Sequence, residues 1–275
     1  MDTNKIKFSE LSLREFLNFL KFSDINNKQI LEVTNDSIYT KAHPSSKSYL
    51  IYRRLQNPFT KSDNIDGKIL LPMSSTTKLI KVVESLIKTK NEKIDGEFLF
   101  KRNGDNNVCS SILFKNKNTS IKLHTSDFEF SQMPFLNDTI WNSILSNETM
   151  PCVCSFNVSL EFIKEIQNYT KLFTDSSTTV DTERYYRIIL EKDKLPTFCS
   201  KKGDSWVKSI DDVKNIKIFY NKDEKIVLNS FLTILDYVSS ESDIEVNIKI
   251  SPNNNYFILI KENENSIFFN TLVKE

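Results

Sequence analysis

The residues able to do covalent or metal chemistry are few and scattered. Two histidines, His43 and His124, lie in or beside strand-like runs with no partner histidine at metal-binding spacing, which points to structural or surface roles. Four glycines, Gly67, Gly96, Gly104 and Gly203, are too few for a glycine-rich phosphate loop, and none is followed by Lys-Ser or Lys-Thr. Asp212-Val213-Lys214 and Asp223-Glu224-Lys225 have the local look of a metal-dependent nuclease strand, yet both fall at turn-like points where solvated charge is the simpler reading. Cys109, Cys152, Cys154 and Cys199 make no disulfide framework in a chain this long. The single residue between Cys152 and Cys154 is also short of zinc or redox spacing, so buried free thiols are expected. No catalytic constellation, metal site or cofactor site assembles from these residues, and the chain is expected not to be an enzyme.

What does recur is a row of cations at helical spacing. Lys78, Lys81, Ser85 and Lys88 follow one another by three, four and three residues, opposite apolar Leu79, Val83 and Leu86. Lys164, Asn168 and Lys171 form a second such row, and Arg14, Asn18 and Lys21 a third, with little acidic interruption along the rows. Lysine outnumbers arginine 31 to 6 and there are 28 asparagines, a bias expected of an AT-rich genome, so any one exposed lysine says little. Three helices with the same arrangement say more. The net charge of +1 hides no basic tail, so contact with nucleic acid would have to come from the distribution of charge over faces.

Those rows need amphipathic helices to carry them, and the periodicity supplies four. A strand over residues 4–9 leads to the capping-box pattern Ser12-Leu13-Arg14-Glu15 and a helix to about Ser23 whose apolar face is Leu13, Phe16, Leu17 and Leu20. Strands follow at Gln29 to Thr34, Ser37 to Ala42, Tyr49 to Leu55 and Lys68 to Leu71, then a helix from about Ser75 to Lys90, then strands at Glu97 to Arg102, Ser110 to Lys115 and Ser120 to Thr125. The second half repeats the course. Strand Cys152 to Val158 is followed by helix Ser159 to Phe173, strands at 185–191, 197–199, 214–220 and 225–228, a helix at about Ser230 to Ser239, and strands at 243–250, 256–261 and 266–272. The fourth helix carries Ser230, Thr233, Asp236 and Tyr237 at its polar positions and no lysine, with Lys225 just upstream.

The 275 residues suffice for two domains. The pattern divides them into residues 1–126, an ordered connector at 127–150 and residues 151–275, each domain α+β with two amphipathic helices on antiparallel sheet. No apolar run reaches the ~18 residues that span a bilayer and no secretory leader precedes the first strand, so a cytoplasmic setting and no membrane partner are expected.

This order of elements resembles the DNA clamp fold shared by proliferating cell nuclear antigen and the phage clamps. Leu11 to Asn26 with Gln29 to Ala42, the run Phe156-Asn157-Val158-Ser159-Leu160-Glu161-Phe162-Ile163, and the stretch Val227 through Phe269 resemble the sliding clamps of T-even-type bacteriophages. The resemblance implies a ring-forming homotrimer, a processivity factor that encircles duplex DNA without sequence preference and tethers the replicative DNA polymerase after an ATP-dependent clamp loader has placed it. It also implies that the helices face phosphate, through Arg14, Lys21, Lys78, Lys81, Lys88, Lys164 and Lys171. By position in the connector, Met133, Pro134, Phe135 and Leu136 are candidates for one wall of a partner-binding pocket, or for buried packing of the connector. The competing readings are a clamp-like processivity factor or scaffold that forms no homotrimeric ring, a metal-dependent nuclease, and a viral structural protein of duplicated β-rich domains.

Overall fold

The computed structural model describes residues 2–23, 29–43, 49–65, 67–73, 76–88, 93–103, 106–125, 138–172, 185–200, 206–210, 213–231, 235, 238 and 243–275. They form a mixed α+β structure dominated by antiparallel sheet, in two compact units: Met1–Lys47 with Ile51–Leu136, and Ser48–Leu50 with Asn137–Glu275.

In chain order the first unit contains β1 (Asp2–Phe8), α1 (Glu10–Ser23), β2 (Gln29–Val33), β3 (Ser37–Ala42), β4 (Tyr49–Gln56), β5 (Lys61–Ser62), β6 (Ile69–Met73), α2 (Thr76–Lys88), β7 (Ile94–Asn103), β8 (Asn106–Lys115) and β9 (Ser120–His124). Hydrogen bonding orders these strands β9-β8-β7-β1-β5 and β4-β3-β2-β6, with β6 meeting β8 in a short parallel pairing at Ile69 and Leu70. Leu13, Phe16, Phe19 and Leu20 of α1 and Leu79, Val83 and Leu86 of α2 are buried in one core with Ile6, Phe8, Leu31, Phe98 and Phe114 of the strands. Leu17, expected on the buried face of α1, is only half-buried; Phe19 takes the deeper place, and its ring lies 6.4 Å from that of Phe16.

In the second unit α3 (Asp138–Leu145) is followed by β10 (Cys152–Val158), α4 (Leu160–Leu172), β11 (Tyr185–Leu190), β12 (Thr197–Ser200), β13 (Val207–Ser209), β14 (Lys214–Ile218), β15 (Ile226–Phe231), β16 (Ile244–Ile250), β17 (Tyr256–Asn263) and β18 (Ser266–Lys274). The strand order is β18-β17-β16-β10-β14 and β13-β12-β11-β15, with β15 meeting β18 at Leu228 and Asn229. Within the five-strand and four-strand groups this repeats the order of the first unit, β1 corresponding to β10 and β9 to β18; the junction between the groups differs, β6 meeting β8 in parallel and β15 meeting β18 antiparallel. Phe162 of α4 packs edge-on to Phe198 of β12, and Phe198 in turn contacts Phe156 and Tyr186.

Several expectations are amended. β5 and β13 have two and three residues, too few for alternation to register in the sequence. Ser230 and Phe231 extend β15 rather than opening a helix: Ser230 pairs with Tyr186, is fully buried, and its hydroxyl accepts a hydrogen bond from Asn270 Nδ2 at 3.1 Å. Most of the remaining positions of that expected helix, Thr233, Asp236 and Tyr237 among them, lie outside the described residues. The expected connector contains α3, whose Trp141 and Ile144 are buried. Its carbonyl end is tied down by Lys249, 2% exposed, which donates to the oxygens of Ile144, Leu145 and Ser146 at 3.1, 3.1 and 3.4 Å. A cation at the negative end of a helix satisfies carbonyls that have no partner within it. Burial pushes the Lys249 amine below the usual lysine range.

The cysteines are all free. Cys109, Cys154 and Cys199 are buried and Cys152 half-buried. Burial pushes the thiols of Cys109 and Cys154 up to about 12, which leaves them protonated and inert. No helix among the described residues is long and apolar enough to cross a membrane.

Gly96 has a steric reason to be glycine. It pairs with Ile6 across β1 and β7, and a Cβ at this position would stand 2.6 Å from Ile6 Cγ1 and 2.9 Å from its Cδ1. Ile6 is itself 1% exposed and has little room to retreat. Gly96→Ala is expected to lower stability by about 1–3 kcal/mol through overpacking, read as a lower urea midpoint; an unchanged midpoint would mean that Ile6 repacks without cost.

Candidate nucleic-acid interface

The cationic rows are placed by the way α1 and α4 begin. The Ser9 hydroxyl accepts from the Ser12 amide at 3.1 Å, and the Ser9 carbonyl from the Leu13 amide at 3.0 Å. Ser159 does the same for α4, its hydroxyl accepting from Phe162 at 3.1 Å and its carbonyl from Ile163 at 3.3 Å. Both are serine N-caps, which satisfy amides that the first helical turn leaves unpaired. The cap of α1 is therefore Ser9, not Ser12, which lies in the first turn with its hydroxyl 2.9 Å from that of Ser9.

With the caps aligned, the two helices carry the same row. Arg14 and Lys164 each lie five residues after their cap, Asn18 and Asn168 nine, and Lys21 and Lys171 twelve. All six are exposed, while the opposite faces are buried: Leu13, Phe16 and Leu20 in α1, Phe162, Ile163 and Ile166 in α4. Spacings of four and three keep the three members on one stripe.

In α2 the residues Lys78, Lys81, Ser85 and Lys88 are exposed, with Thr76, Leu79, Val83 and Leu86 buried behind them. Among the described residues Lys78, Lys81, Lys88 and Lys164 have no ion pair.

Carboxylates interrupt the first unit's rows more than the sequence suggests. Arg14 pairs with Glu10 in the preceding turn, its Nε 3.2 Å from Oε1. The Lys21 amine reaches across to α2, where it lies 2.8 Å from Glu84 Oε1. Glu10 sits four residues before Arg14, a spacing visible in the sequence; Glu84 comes to Lys21 only because α1 packs on α2. In the second unit Glu161 is exposed at the start of the row. Glu165 pairs with Lys208, whose amine also lies 5.2 Å from the centre of the Phe162 ring.

The residues considered for other chemistry are dispersed. In the second acidic triplet Asp223 pairs with Lys192, Glu224 with Lys274, and Lys225 with Glu191. These are three separate surface ion pairs with no convergence on a metal. Lys225, 56% exposed, shares the Glu191 carboxylate at 3.0 Å. Asp212, and the connector residues Met133, Pro134, Phe135 and Leu136, lie outside the described residues. His124 is exposed in β9 and His43 half-buried.

Lys21 beside it, with Lys88 and Lys81 contributing, holds the Glu84 carboxyl below its ordinary value of 4.5. A depressed carboxyl pKa adds stability that is present above the unfolded-state value and lost as pH falls through the folded-state one. Glu84→Gln is therefore expected to melt below the wild type near neutral pH and to converge with it in acid. Thermal melts from about pH 7 to about pH 3 test this; a constant gap throughout would show that the Glu84 charge is not its source.

No family model matches the chain, and no curated protein does. Its fold is nevertheless shared with solved structures over its full length. PCNA from Thermococcus kodakaraensis superposes with a TM-score of 0.60 at 14% identity, covering 99% of this chain and 100% of that one. The PCNA of A. fulgidus, in a structure with the C-terminal region of FEN-1 bound, superposes with a TM-score of 0.57 at 10% identity, covering 99% of this chain and 98% of its own. The architecture is the α+β fold of the PCNA clamps.

Proposed function

We propose that the chain is a DNA sliding clamp of the T-even phage kind, a non-enzymatic subunit that closes into a homotrimeric ring around duplex DNA and tethers a replicative polymerase. The observation that carries this reading is the cap-matched cationic row repeated on α1 and α4, within a duplicated sheet topology that follows the PCNA fold from end to end. Cations on helix faces suit a protein that binds phosphate without sequence preference and slides. Arg14, Lys21, Lys78, Lys81, Lys88, Lys164 and Lys171 are the proposed phosphate contacts, and Met133, Pro134, Phe135 and Leu136 one wall of the polymerase-binding pocket. A separate ATP-driven loader opens the ring, and the host cytoplasm is its setting.

The sheet edges support closure. Among the described residues β9 pairs only with β8, and β13 only with β12, so each unit ends in an open edge, with Val207 63% exposed on β13. An unpaired strand is a template for a strand of another chain. Joining two different edges, β9 of one copy to β13 of the next, gives a head-to-tail contact that closes into a ring when the rotation allows.

Light scattering after gel filtration is expected to give three times the 32.0 kDa of one chain, and Val207→Asp to reduce the mass toward that of one chain. A monomer at every concentration would leave the clamp-like factor that forms no ring. Glutamine at Lys78, Lys81 and Lys88, or at Lys164 and Lys171, should weaken duplex binding for all sequences alike. Each lost contact should also flatten the slope of log affinity against log salt by about 0.9; unaltered slopes would remove the helices from the interface.

A further inference from the structure

We infer that Glu84 and Glu10 are electrostatic latches that hold the α1 cations in reserve, so that DNA phosphate must displace a carboxylate before Lys21 or Arg14 can engage it. This rests on the proposed clamp function and adds a device that sets how tightly the helices grip.

The geometry is that of a pair built to exchange. Glu84 Oε1 stands 2.8 Å from the Lys21 amine, and both side chains keep substantial exposure, 34% and 46%. Solvent-exposed pairs of this kind are worth only a fraction of a kcal/mol. A phosphate carrying a full charge and several acceptor oxygens can therefore take the lysine over. Glu10 and Arg14 repeat the arrangement one helical turn from the cap, at 44% and 58% exposure.

Two further observations set these acids apart from ordinary surface charge. Glu84 sits between Lys81 and Lys88 as well as beside Lys21, and the three cations hold its carboxyl low, so the latch stays charged near neutral pH and responds to salt and phosphate. The second unit lacks the counterpart of Glu10: with the caps aligned, that position is Leu160, and Lys164 has no ion pair among the described residues. The duplicated row is thus latched at its first cation on α1 and open at the corresponding cation on α4. A ring that must hold DNA without arresting on it benefits from cations that engage only on close approach.

The test uses the full-length chain and a short fluorescein-labelled duplex, with anisotropy measured from about 50 to about 200 mM salt. Glu84→Gln is expected to bind about threefold more tightly at the low-salt end, because Lys21 reaches phosphate without first giving up a carboxylate. The gain should vanish in the Glu84→Gln, Lys21→Gln double variant, which a merely structural effect of the substitution would not produce. Glu10→Gln gives an independent readout through Arg14 should the first variant fold poorly. Glu84→Gln and Glu10→Gln binding no more tightly than wild type, while glutamine at Lys78 and Lys81 weakens binding, would overturn the latch and leave the clamp reading standing. Duplex binding indifferent to every lysine variant would overturn the clamp reading beneath it.

Discussion

Each helix has one face that must leave water, and the sheet beneath it is the place for that face to go. Leu13, Phe16, Phe19 and Leu20 in α1, Leu79, Val83 and Leu86 in α2, and Phe162, Ile163 and Ile166 in α4 are all buried, each side chain contributing about 1.5–3 kcal/mol. Burial of this size fixes the rotation of a helix about its axis. Once the rotation is fixed, Arg14, Lys78, Lys81, Lys88 and Lys164 have no choice but to face outward. The cationic rows are thus a consequence of core packing, and the serine caps set where along each helix the rows begin.

The duplication extends that logic to the whole chain. α1 and α4 each follow the first strand of the repeated order, β1 and β10, and the cap offsets of Arg14, Asn18 and Lys21 recur in Lys164, Asn168 and Lys171. The copies have diverged where charges meet. α1 carries Glu10 ahead of its row and faces Glu84 of α2; α4 starts with Leu160, and its Glu165 is turned to Lys208. A shared scaffold thus carries unequal electrostatics, Arg14 and Lys21 being paired with carboxylates and Lys164 having no ion pair among the described residues.

Buried polar groups mark where the fold is specified rather than merely collapsed. Lys249 is taken out of water and returns three hydrogen bonds to the carbonyl end of α3, which fixes the entry into the second unit. Glu32 in β2 is fully buried, with Lys68 at 2.6 Å and the Tyr39 hydroxyl at 2.8 Å. An unpaired charge at either place would be costly, so each favours one arrangement of neighbouring elements over its alternatives.

The sequence by itself determined the elements whose periodicity is long: α1, α2 and α4, nearly all the strands, the repetition of their order, and the outward rows of cations. Those features depend on the local chain and on hydrophobic spacing, which one sequence carries in full. It did not reveal β5 or β13, too short to alternate, nor α3, whose Trp141 and Ile144 lie within turn-forming residues. It placed the α1 cap three residues late because Ser9 and Ser12 are both good caps, and only the hydrogen bonds distinguish them. The tertiary structure alone decided that Ser230 belongs to a strand, that Lys249 reaches back across about a hundred residues to α3, and that Glu84 meets Lys21. Contacts between residues distant in sequence depend on how buried faces come together, and no local spacing encodes them.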